Sequence, residues 1–292
     1  MHRVILALLS ILVITDAKII INIAAGNNKS DVAITYSGDD IDVIGDKEIE
    51  LFHLDTFNLK RAVKNKYNFL PRDVFLKSPT PWGDLYKTYK WKEVTRTLKV
   101  RSAKLKQSSV KSVVVLAQDF ENAFNNTIKV NAGISQTVEN TIATTWSKTQ
   151  ETTFSQEVEY NLNVIFAKLS GTTAFSYTST VGKSQEKSES VTIGMTTGME
   201  VELKPGQSAS AVLSANRYNL EVEVVYVITL TGQVAVNFRR PYNEHHFYGP
   251  SIASILKNGG LDNEVTIVEN IQLGLYTDAS LKVYDKLTGL PL

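Results

Sequence analysis

Hydrophobic and polar residues alternate in two neighbouring stretches near the middle of the chain, 154–166 and 169–181. In the first stretch the apolar side chains hold the even positions, and in the second the more apolar ones hold the odd positions. A period of two residues is the pattern of a β-strand with one apolar face and one wet face. Because the parity reverses, a tight turn between the stretches brings both apolar sets onto one face. The sequence therefore predicts an amphipathic β-hairpin over 154–181.

The predicted turn of this hairpin is centred on Ala167-Lys168. Directly opposed residues of two antiparallel strands share a face, so a turn at this place fixes every pair. The register that results pairs Phe166 with Leu169, Tyr160 with Phe175 and Val158 with Tyr177.

Two kinds of structure contain a hairpin of this type. An antiparallel sheet with one face on a soluble core is the commoner cause of the alternation. A membrane-spanning hairpin is the other, because each arm has about nine alternating residues, which is the length of a tilted transmembrane strand. The alternation alone leaves both alternatives open.

The chain before the hairpin is predicted to combine short strands with one helix. Short runs of apolar and β-branched residues between polar turns predict strands at 18–23, 32–36, 41–44 and 49–52. A helix is expected over 56–70, with Phe57, Leu59, Val63 and Tyr67 as its apolar stripe.

From residue 92 onward the helical signal disappears, and β patterns follow one another along the chain. About one residue in three between 127 and 197 is Ser or Thr, and Thr is a good strand former. We therefore expect long strands with few apolar contacts around the hairpin, and such strands are only lightly anchored.

A group of aromatic residues follows the predicted helix. The loop 79–84 contains two prolines and presents a tryptophan. The group consists of Trp82, Tyr86, Tyr89 and Trp91. Aromatic rings on a surface are candidates for contact with a receptor, a glycan or a lipid headgroup, whereas packing in the core is the more frequent reason for such a group. The sequence leaves both interpretations open.

Residues 1–17 have a short basic start, an apolar run and a small residue at the end, which is the pattern of a secretory signal peptide. The formal net charge of +1 provides no field for nucleic acid. The chain has no cysteine, so no disulfide restrains a rearrangement of the secreted form. Asn28 and Asn125 lie in Asn-X-Ser/Thr sequons and are candidate glycosylation sites.

Sequence motifs of catalytic and nucleotide-binding sites are missing, including GxSxG, HExxH, GxGxxG and the P-loop. Without cysteine there is no catalytic thiol, and the spacing of the histidines supports no catalytic triad. We therefore predict no enzyme activity, no cofactor and no metal site, and a hydrolase is a distant third among the function classes.

Residues 105–240 resemble the aerolysin and epsilon-toxin type of β-pore-forming proteins. The resemblance rests on the Asn125-Asn126-Thr127 step, the Ser/Thr-rich strands 135–155 and 176–197, the hairpin between them, and the β-branched strand 220–236. With 79–91 and 276–285 included, the chain is most similar to the insect follicular-epithelium yolk proteins and slime-mould spherulins that share this module.

The resemblance implies a mainly β fold. Its expected architecture is the elongated aerolysin type, with long, twisted antiparallel strands and a small mixed α/β N-terminal lobe. The lobe is predicted at 18–104, and the pore-forming module, with the insertion hairpin 154–181, at 105–292.

The resemblance also implies roles for the residues of the hairpin. In that family, monomers gather on a membrane and their hairpins together close a barrel. The residues expected to face lipid are Val158, Tyr160, Leu162, Val164, Phe166, Leu169, Phe175 and Tyr177. The residues expected to line the lumen are Glu157, Glu159, Asn161 and Asn163, and rings of glutamate favour cations.

These observations predict a secreted, extracellular pore-forming protein that becomes membrane-associated after oligomerisation. Its expected partners are membrane lipid, or a protein or glycan receptor on a membrane surface, and further copies of itself in a ring. Nucleic acid is not expected as a partner. The alternative on the same fold is a non-lytic storage or structural protein, associated with yolk or eggshell, because such a protein also keeps the hairpin.

Overall fold

The computed structural model describes residues 19–25, 32–146, 159–168, 171–194 and 199–292. The predicted signal peptide and the sequon asparagine Asn28 lie outside these residues. So do three residues with predicted roles in the hairpin, which are Glu157, Val158 and Leu169.

The described residues form fifteen strands and four helices. The strands are β1 (Ile19–Ala25), β2 (Ala33–Ser37), β3 (Asp39–Val43), β4 (Asp73–Phe75), β5 (Thr95–Glu121), β6 (Ile128–Asn131), β7 (Ser135–Trp146), β8 (Glu159–Lys168), β9 (Gly171–Thr180), β10 (Gln185–Gly194), β11 (Glu200–Leu203), β12 (Ser208–Thr231), β13 (Ala235–Tyr242), β14 (His245–Tyr248) and β15 (Glu264–Asp285). The helices are α1 (Asp46–Leu51), α2 (Thr56–Tyr67), α3 (Pro81–Tyr89) and α4 (Ile252–Gly259).

Three long strands lie at the centre of the largest sheet. Strands β5, β12 and β15 contain 27, 24 and 22 residues. Strand β12 lies between the other two and pairs antiparallel with both, in a six-stranded sheet of order β10-β7-β15-β12-β5-β3. At about 3.3 Å per residue, β5 extends roughly 85 Å. The predicted mainly β architecture of long antiparallel strands is therefore confirmed.

The sequence of β12 explains its central position. Buried and partly exposed residues alternate along most of it, as a strand with one face on the core requires. Its pairing with β5 shifts register at three places, after Leu213, Glu221 and Val225. Such bulges increase the local twist of a sheet, which lets strands of this length curl.

Apolar residues are buried in two main clusters along this sheet. The larger one includes Val222, Val224 and Tyr226 of β12, and helices α2 and α4 contribute to it. The second cluster, around Leu213 and Val283, has ten buried residues, of which four are alanines, and lies where β6 and β11 pair. The half of the sheet around the second cluster therefore buries less apolar volume.

Helix α2 is shorter than predicted, because it ends at Tyr67 and not at residue 70. The Asp55 carboxylate caps it by accepting a hydrogen bond from the Asn58 amide at 3.0 Å, and the helix ends before Asn68, which has a left-handed φ of 53°. Leu59 and Val63 are buried as predicted, but Phe57 is 72% exposed. The prediction for Phe57 was wrong because α4 packs against the neighbouring face of α2.

The strand predicted at 49–52 is also wrong, since Ile49, Glu50 and Leu51 belong to helix α1 and Phe52 is its C-cap. The carboxylate of Glu48 accepts a hydrogen bond from the Gly45 amide at 2.7 Å, which caps the helix. The same carboxylate is fully buried and lies 3.0 Å from Nε of Arg96. Arg96 also pairs with Asp40, whereas no second cation pairs with the Glu48 carboxylate among the described residues. Removal of Arg96 would therefore leave a buried carboxylate without its cation, so this ion pair fixes the helix against β5.

The boundary between the predicted lobe and module stays a prediction. Strand β5 runs without interruption through residues 104 and 105. None of the helices in the described part of the chain has the length and apolar character that a membrane span requires.

Candidate functional site

Strands β8 and β9 form the predicted hairpin, but in a different register. The structure pairs Tyr160 with Ser179 and Leu162 with Tyr177, whereas the prediction paired Tyr160 with Phe175. The partner of each residue therefore lies four positions further along β9. Because four is an even number, the even positions of β8 and the odd positions of β9 still share one face. The predicted register was wrong, and the predicted faces keep their parity.

The hairpin is an insertion between two neighbouring strands of the long sheet. Strand β7 ends at Trp146, strand β10 begins at Gln185, and these two strands pair antiparallel with each other. The pairing of Gln185 with Thr144 closes the sheet at the base of the insertion. The hairpin can therefore change its position without breaking the ladder between β7 and β10.

An N-terminal strand covers one side of the hairpin. Strand β1 pairs in parallel with β8, from Ile19 opposite Tyr160 to Ala25 opposite Phe166. On its other side β1 pairs antiparallel with β2. The result is a second sheet of four strands, in the order β2-β1-β8-β9.

The N-terminal strand is anchored in the main core. Ile19, Ile21 and Ile23 are fully buried, and they belong to the same apolar cluster as Trp146 and Tyr177. Each fully buried isoleucine contributes about 2 kcal/mol to the stability of the folded state. This strand is therefore a substantial part of what holds the four-stranded sheet on the rest of the protein.

Tyr177 shows how the end of β9 is held in this state. Its side chain is 4% exposed, and its hydroxyl donates a hydrogen bond to Oε1 of Gln185 at 3.2 Å. Nearby, the hydroxyl of Tyr226 donates to Oε2 of the buried Glu269 at 2.9 Å. Tyr177, which is predicted to face lipid, is thus buried in the core in this structure.

The second candidate site is an aromatic surface built on the three-stranded sheet β14-β13-β4. We define this aromatic surface by the rings of Phe75, Trp82, Tyr89, Trp91 and Phe247. The ring centroids of Trp82 and Phe247 are 5.3 Å apart, and the rings of Tyr89 and Trp91 stack at 4.8 Å. Trp82 and Tyr89 are each 47% exposed. Three of the four predicted aromatic residues are therefore brought together here.

Tyr86 is the exception, because the second of the two interpretations left open by the sequence, packing in the core, applies to it. It is 4% exposed, and its hydroxyl donates to the carbonyl oxygen of Phe75 at 2.8 Å. Burial raises the pKa of Tyr86, so the hydroxyl stays protonated. The position is buried because α3 turns this side of the helix towards β13, where Ala235 lies.

Phe75 and Phe247 complete the aromatic surface and were missed in the sequence. Phe75 ends β4, seven residues before Trp82, whereas Phe247 lies in β14, more than 150 residues after the 82–91 segment. Gly249 was a signal of this packing, because a Cβ there would lie 2.5 Å from the indole ring of Trp91. A cleft of about 670 Å³ opens beside Trp91, with Lys87, Lys92 and Glu93 among its lining residues.

The loop that presents Trp82 has an unusual backbone. Trp82, Gly83 and Asp84 all have left-handed conformations, with φ of 65°, 75° and 65°. A non-glycine residue in this region costs energy unless its surroundings enforce it. The hydroxyl of Ser78 donates to the Asp84 carboxylate, and the Leu85 amide donates to Oγ1 of Thr80 at 2.7 Å. These bonds hold the tryptophan in its exposed position.

We predict that acid releases this loop through Asp84. The hydrogen bond from Ser78 lowers the pKa of Asp84 below 3.8, its ordinary value. A group whose pKa is lower in the folded state stabilises that state above its unfolded pKa and loses this contribution as the pH falls through the folded value. We therefore expect the loop to be unchanged at pH 5 and to open only below pH 3.8, as the pH falls through the lowered pKa of Asp84.

The measurement is ¹⁹F NMR of the protein labelled with 5-fluorotryptophan, with the Trp82 signal assigned through Trp82→Phe. In Asp84→Asn the Trp82 signal should already be displaced at pH 7. Asp55→Asn is the control, because the pKa of Asp55 is also lowered, by its cap of α2, in another part of the fold. A Trp82 signal that responds equally to both substitutions would contradict the prediction.

The remaining predicted sites lie apart from these two. Asn125 is exposed in the connection between β5 and β6, so a glycan could be attached there. Among the described residues, no three His, Cys, Asp or Glu side chains come together in a way that could hold a metal ion.

Comparison with known proteins identifies relatives along most of the chain. No protein-family model matches the sequence. U-megalopygitoxin(8)-Mc8 of Megalopyge crispata is 38% identical over 261 residues, which cover 89% of this chain and 90% of the relative. U-megalopygitoxin(8)-Mo12 of Megalopyge opercularis has the same identity and coverage. The chain belongs to the megalopygitoxin family.

Among solved structures, this chain is similar to parasporin-2, a Bacillus thuringiensis toxin that recognizes cancer cells. The two superpose with a TM-score of 0.64 over 84% of this chain and 97% of parasporin-2, at 14% sequence identity. At this identity the similarity shows the fold alone. The relatives named here are toxins, so the similarity to yolk proteins and spherulins stays a prediction.

Proposed function

We propose that this protein is secreted and forms pores in membranes. Copies of the chain associate on a membrane, their hairpins 154–181 leave the body of the protein, and the hairpins together close a barrel. The observation that carries this proposal is the amphipathic hairpin inserted between β7 and β10, whose pairing with each other does not depend on it. The proposal contains no catalytic step.

Two properties of the described residues support this role. The hairpin belongs to a small sheet of its own, outside the six-stranded sheet. The chain also has no disulfide that would prevent the hairpin from moving, because it contains no cysteine. A single hairpin in lipid would leave backbone groups unpaired at both edges, so insertion requires a closed ring of copies.

The membership of the megalopygitoxin family and the parasporin-2 fold also support a toxin that acts on membranes. We further propose that the aromatic surface makes the first contact, with a lipid headgroup or with a protein or glycan receptor. Its exposed rings offer stacking area, and the neighbouring cleft offers charged groups at Lys87, Lys92 and Glu93.

The direct test is the release of a dye from liposomes by the mature protein, which begins at Lys18 if the signal peptide ends at Ala17. We expect release together with membrane-bound oligomers of ring size, measured by sedimentation and electron microscopy. If neither release nor oligomers occur with any lipid composition, with host membrane extracts or after mild proteolysis, pore formation is excluded in favour of the storage or structural role.

The lumen residues lead to a prediction about ion selectivity. Glu157 and Glu159 alternate with the predicted lipid-facing positions, so each copy adds two carboxylates to the barrel interior. We expect cation-selective pores, and we expect Glu157→Gln with Glu159→Gln to reduce the cation-to-anion permeability ratio several-fold. Reversal potentials in planar bilayers under a KCl gradient measure this ratio.

Glu244→Gln is the control for this measurement, because Glu244 is an exposed glutamate in the turn between β13 and β14. It should leave the permeability ratio unchanged. A ratio that is insensitive to the hairpin substitutions would place these two glutamates outside the lumen.

A further inference from the structure

The two strands of the hairpin differ in the edges that they offer to another chain. Strand β8 has a neighbour on each side, since it pairs with β9 and with β1. Strand β9 has β8 on one side, and no other described strand pairs with its second side. Within the described part of the chain, the hairpin therefore has one edge covered by a strand, on β8, and one edge without a paired strand, on β9, which we call its open edge.

We propose that β1 occupies the edge of β8 to which β9 of a second copy of this chain binds. The N-terminal strand thus keeps the protein monomeric, and its departure from β8 creates the interface for assembly. This inference rests on the pore-forming function proposed above and names the surface and the partner that the function requires.

The first step of the argument is that the two partners exclude each other. A β-strand has one row of N–H and C=O groups on each side and can pair with only two neighbours. One side of β8 is used by β9 of the same hairpin. In a closed barrel the other side pairs with β9 of the next copy, because an open edge is not tolerated in lipid. That side is the one that β1 now covers.

The second step concerns direction. Strand β1 runs parallel to β8, whereas neighbouring hairpins in a barrel of this kind present antiparallel strands. Strand β1 is therefore not one of the barrel strands and has to leave. Its pairing with β8 covers seven residues, from Ile19 to Ala25.

The third step concerns the open edge of β9. Contact between the open edge of one copy and a free β8 edge of another is a head-to-tail contact, which propagates from copy to copy. Proteins suppress such contacts by covering strand edges. Because β1 covers one of the two complementary edges, the open edge of β9 has no matching surface on another copy before β1 leaves.

The structure also indicates the line along which β1 separates from the hairpin. Strand β1 pairs antiparallel with β2 from Ile20 opposite Ser37 to Ala24 opposite Ala33, and β2 is largely exposed. The pair β1–β2 can therefore leave as a unit, once the three buried isoleucines are withdrawn from the core. The bonds that must break are those between β1 and β8 and the hydrogen bond that the Tyr36 hydroxyl of β2 donates to the Arg101 carbonyl oxygen of β5 at 3.0 Å.

Engineered disulfides can test this line of separation, because the chain has no cysteine of its own. Ala24→Cys with Ile165→Cys joins β1 to β8, since these residues are opposed in the parallel register. Ala24→Cys with Ala33→Cys joins β1 to β2 and is the matched control with the same first cysteine. Adjacent strands are about 4.8 Å apart, which is within the range of Cα separations that a disulfide spans.

The measurements are dye release and the amount of membrane-bound oligomer, each in the oxidised and in the reduced protein. We expect the oxidised 24–165 variant to lose at least tenfold in both measurements and to recover after reduction. The oxidised 24–33 variant should stay within about twofold of the wild type.

The possible outcomes separate this inference from the proposed function. If the wild type releases dye and the oxidised 24–165 variant does too, β1 does not restrain assembly, and pore formation stands. If both oxidised variants are inactive, β1 and β2 cannot leave as a unit, and the proposed line of separation between β1 and β8 is wrong. A 24–165 disulfide that does not form contradicts the pairing itself. If the wild type neither assembles nor releases dye, the proposed function fails, and this inference fails with it.

Discussion

Replacement of Val164 and Phe166 by aspartate should abolish dye release. Both residues hold even positions of β8, which are the positions predicted to face lipid. A carboxylate in the hydrocarbon layer costs roughly 1–2 kcal/mol at each position, which is about 2–4 kcal/mol for each copy. Each 1.4 kcal/mol corresponds to a factor of ten, and the cost recurs in every copy of a ring. We therefore expect a decrease of at least 100-fold.

The matched control places the same new charges at neighbouring positions of the same strand. Asn161→Asp with Asn163→Asp adds two carboxylates at the predicted lumen positions, where water is available. This control should retain release within a few-fold of the wild type. Equal loss in both variants would show that β8 does not span the membrane with the proposed face towards lipid.

Effects on the soluble fold must be separated from effects on insertion. Val164 is opposed to Ile23 of β1, which is fully buried, so a charge at 164 could weaken the contact between hairpin and β1. Phe166 is opposed to Ala25 at the end of the pairing. Phe166→Asp alone should therefore keep the thermal transition of the wild type, measured by circular dichroism, and still lose most of the release.

The faces of the hairpin could be predicted from the sequence, whereas its register could not. Alternation determines which residues share a face, but the turn determines which residues are opposed. The prediction placed the turn at Ala167-Lys168, whereas the pairing of Lys168 with Gly171 places it two residues later. The dipeptide Ser170-Gly171 is the better turn signal and could have corrected the register.

The pairing of β1 with the hairpin could not be predicted from any local pattern in the sequence. The isoleucines of β1 predict a strand at 18–23, and the structure contains that strand. Its partner β8 lies about 140 residues further along the chain. Periodicity contains no information about pairing at such a distance, and a parallel partner in an otherwise antiparallel protein is against expectation.

In the helical segments the pattern of apolar residues could be predicted, but tertiary contacts decide which of these residues are exposed. The apolar stripe of α2 was predicted from its spacing, but α4 packs against the face around Ala62 and leaves Phe57 in solvent. Likewise, the aromatic group predicted at 82–91 is divided between surface and core. Tyr86 differs from Tyr89 in the direction that α3 gives it, whereas Trp82 is exposed by the left-handed backbone of its loop.

The aromatic surface should determine how tightly the protein binds to its target membrane. Trp82 and Tyr89 are each 47% exposed, and both pack against rings that hold them in place. Rings that are already ordered lose little conformational entropy on binding. Truncation of such an aromatic contact costs about 1–2 kcal/mol. Trp82→Ala with Tyr89→Ala removes two such contacts, about 2–4 kcal/mol together, and should therefore raise the protein concentration for half-maximal release about 30- to 700-fold.

Phe57→Ala is the matched control for the aromatic surface. Phe57 is 72% exposed, more than Trp82, but it lies on α2 next to Arg61 and outside the aromatic surface. It should leave the concentration for half-maximal release unchanged. If it weakens release as much as the double substitution does, general surface hydrophobicity, and not the aromatic surface, determines binding.

Two further measurements identify what the aromatic surface binds. The conductance of single pores formed by the double variant should equal that of the wild type, because the hairpin is unaltered and only the number of bound copies falls. A weakened response with liposomes of pure phospholipid would assign the surface to lipid headgroups. A weakened response only with membranes that contain cell-surface glycans or proteins would assign it to a receptor, since removal of the rings then affects a contact that pure lipid does not provide.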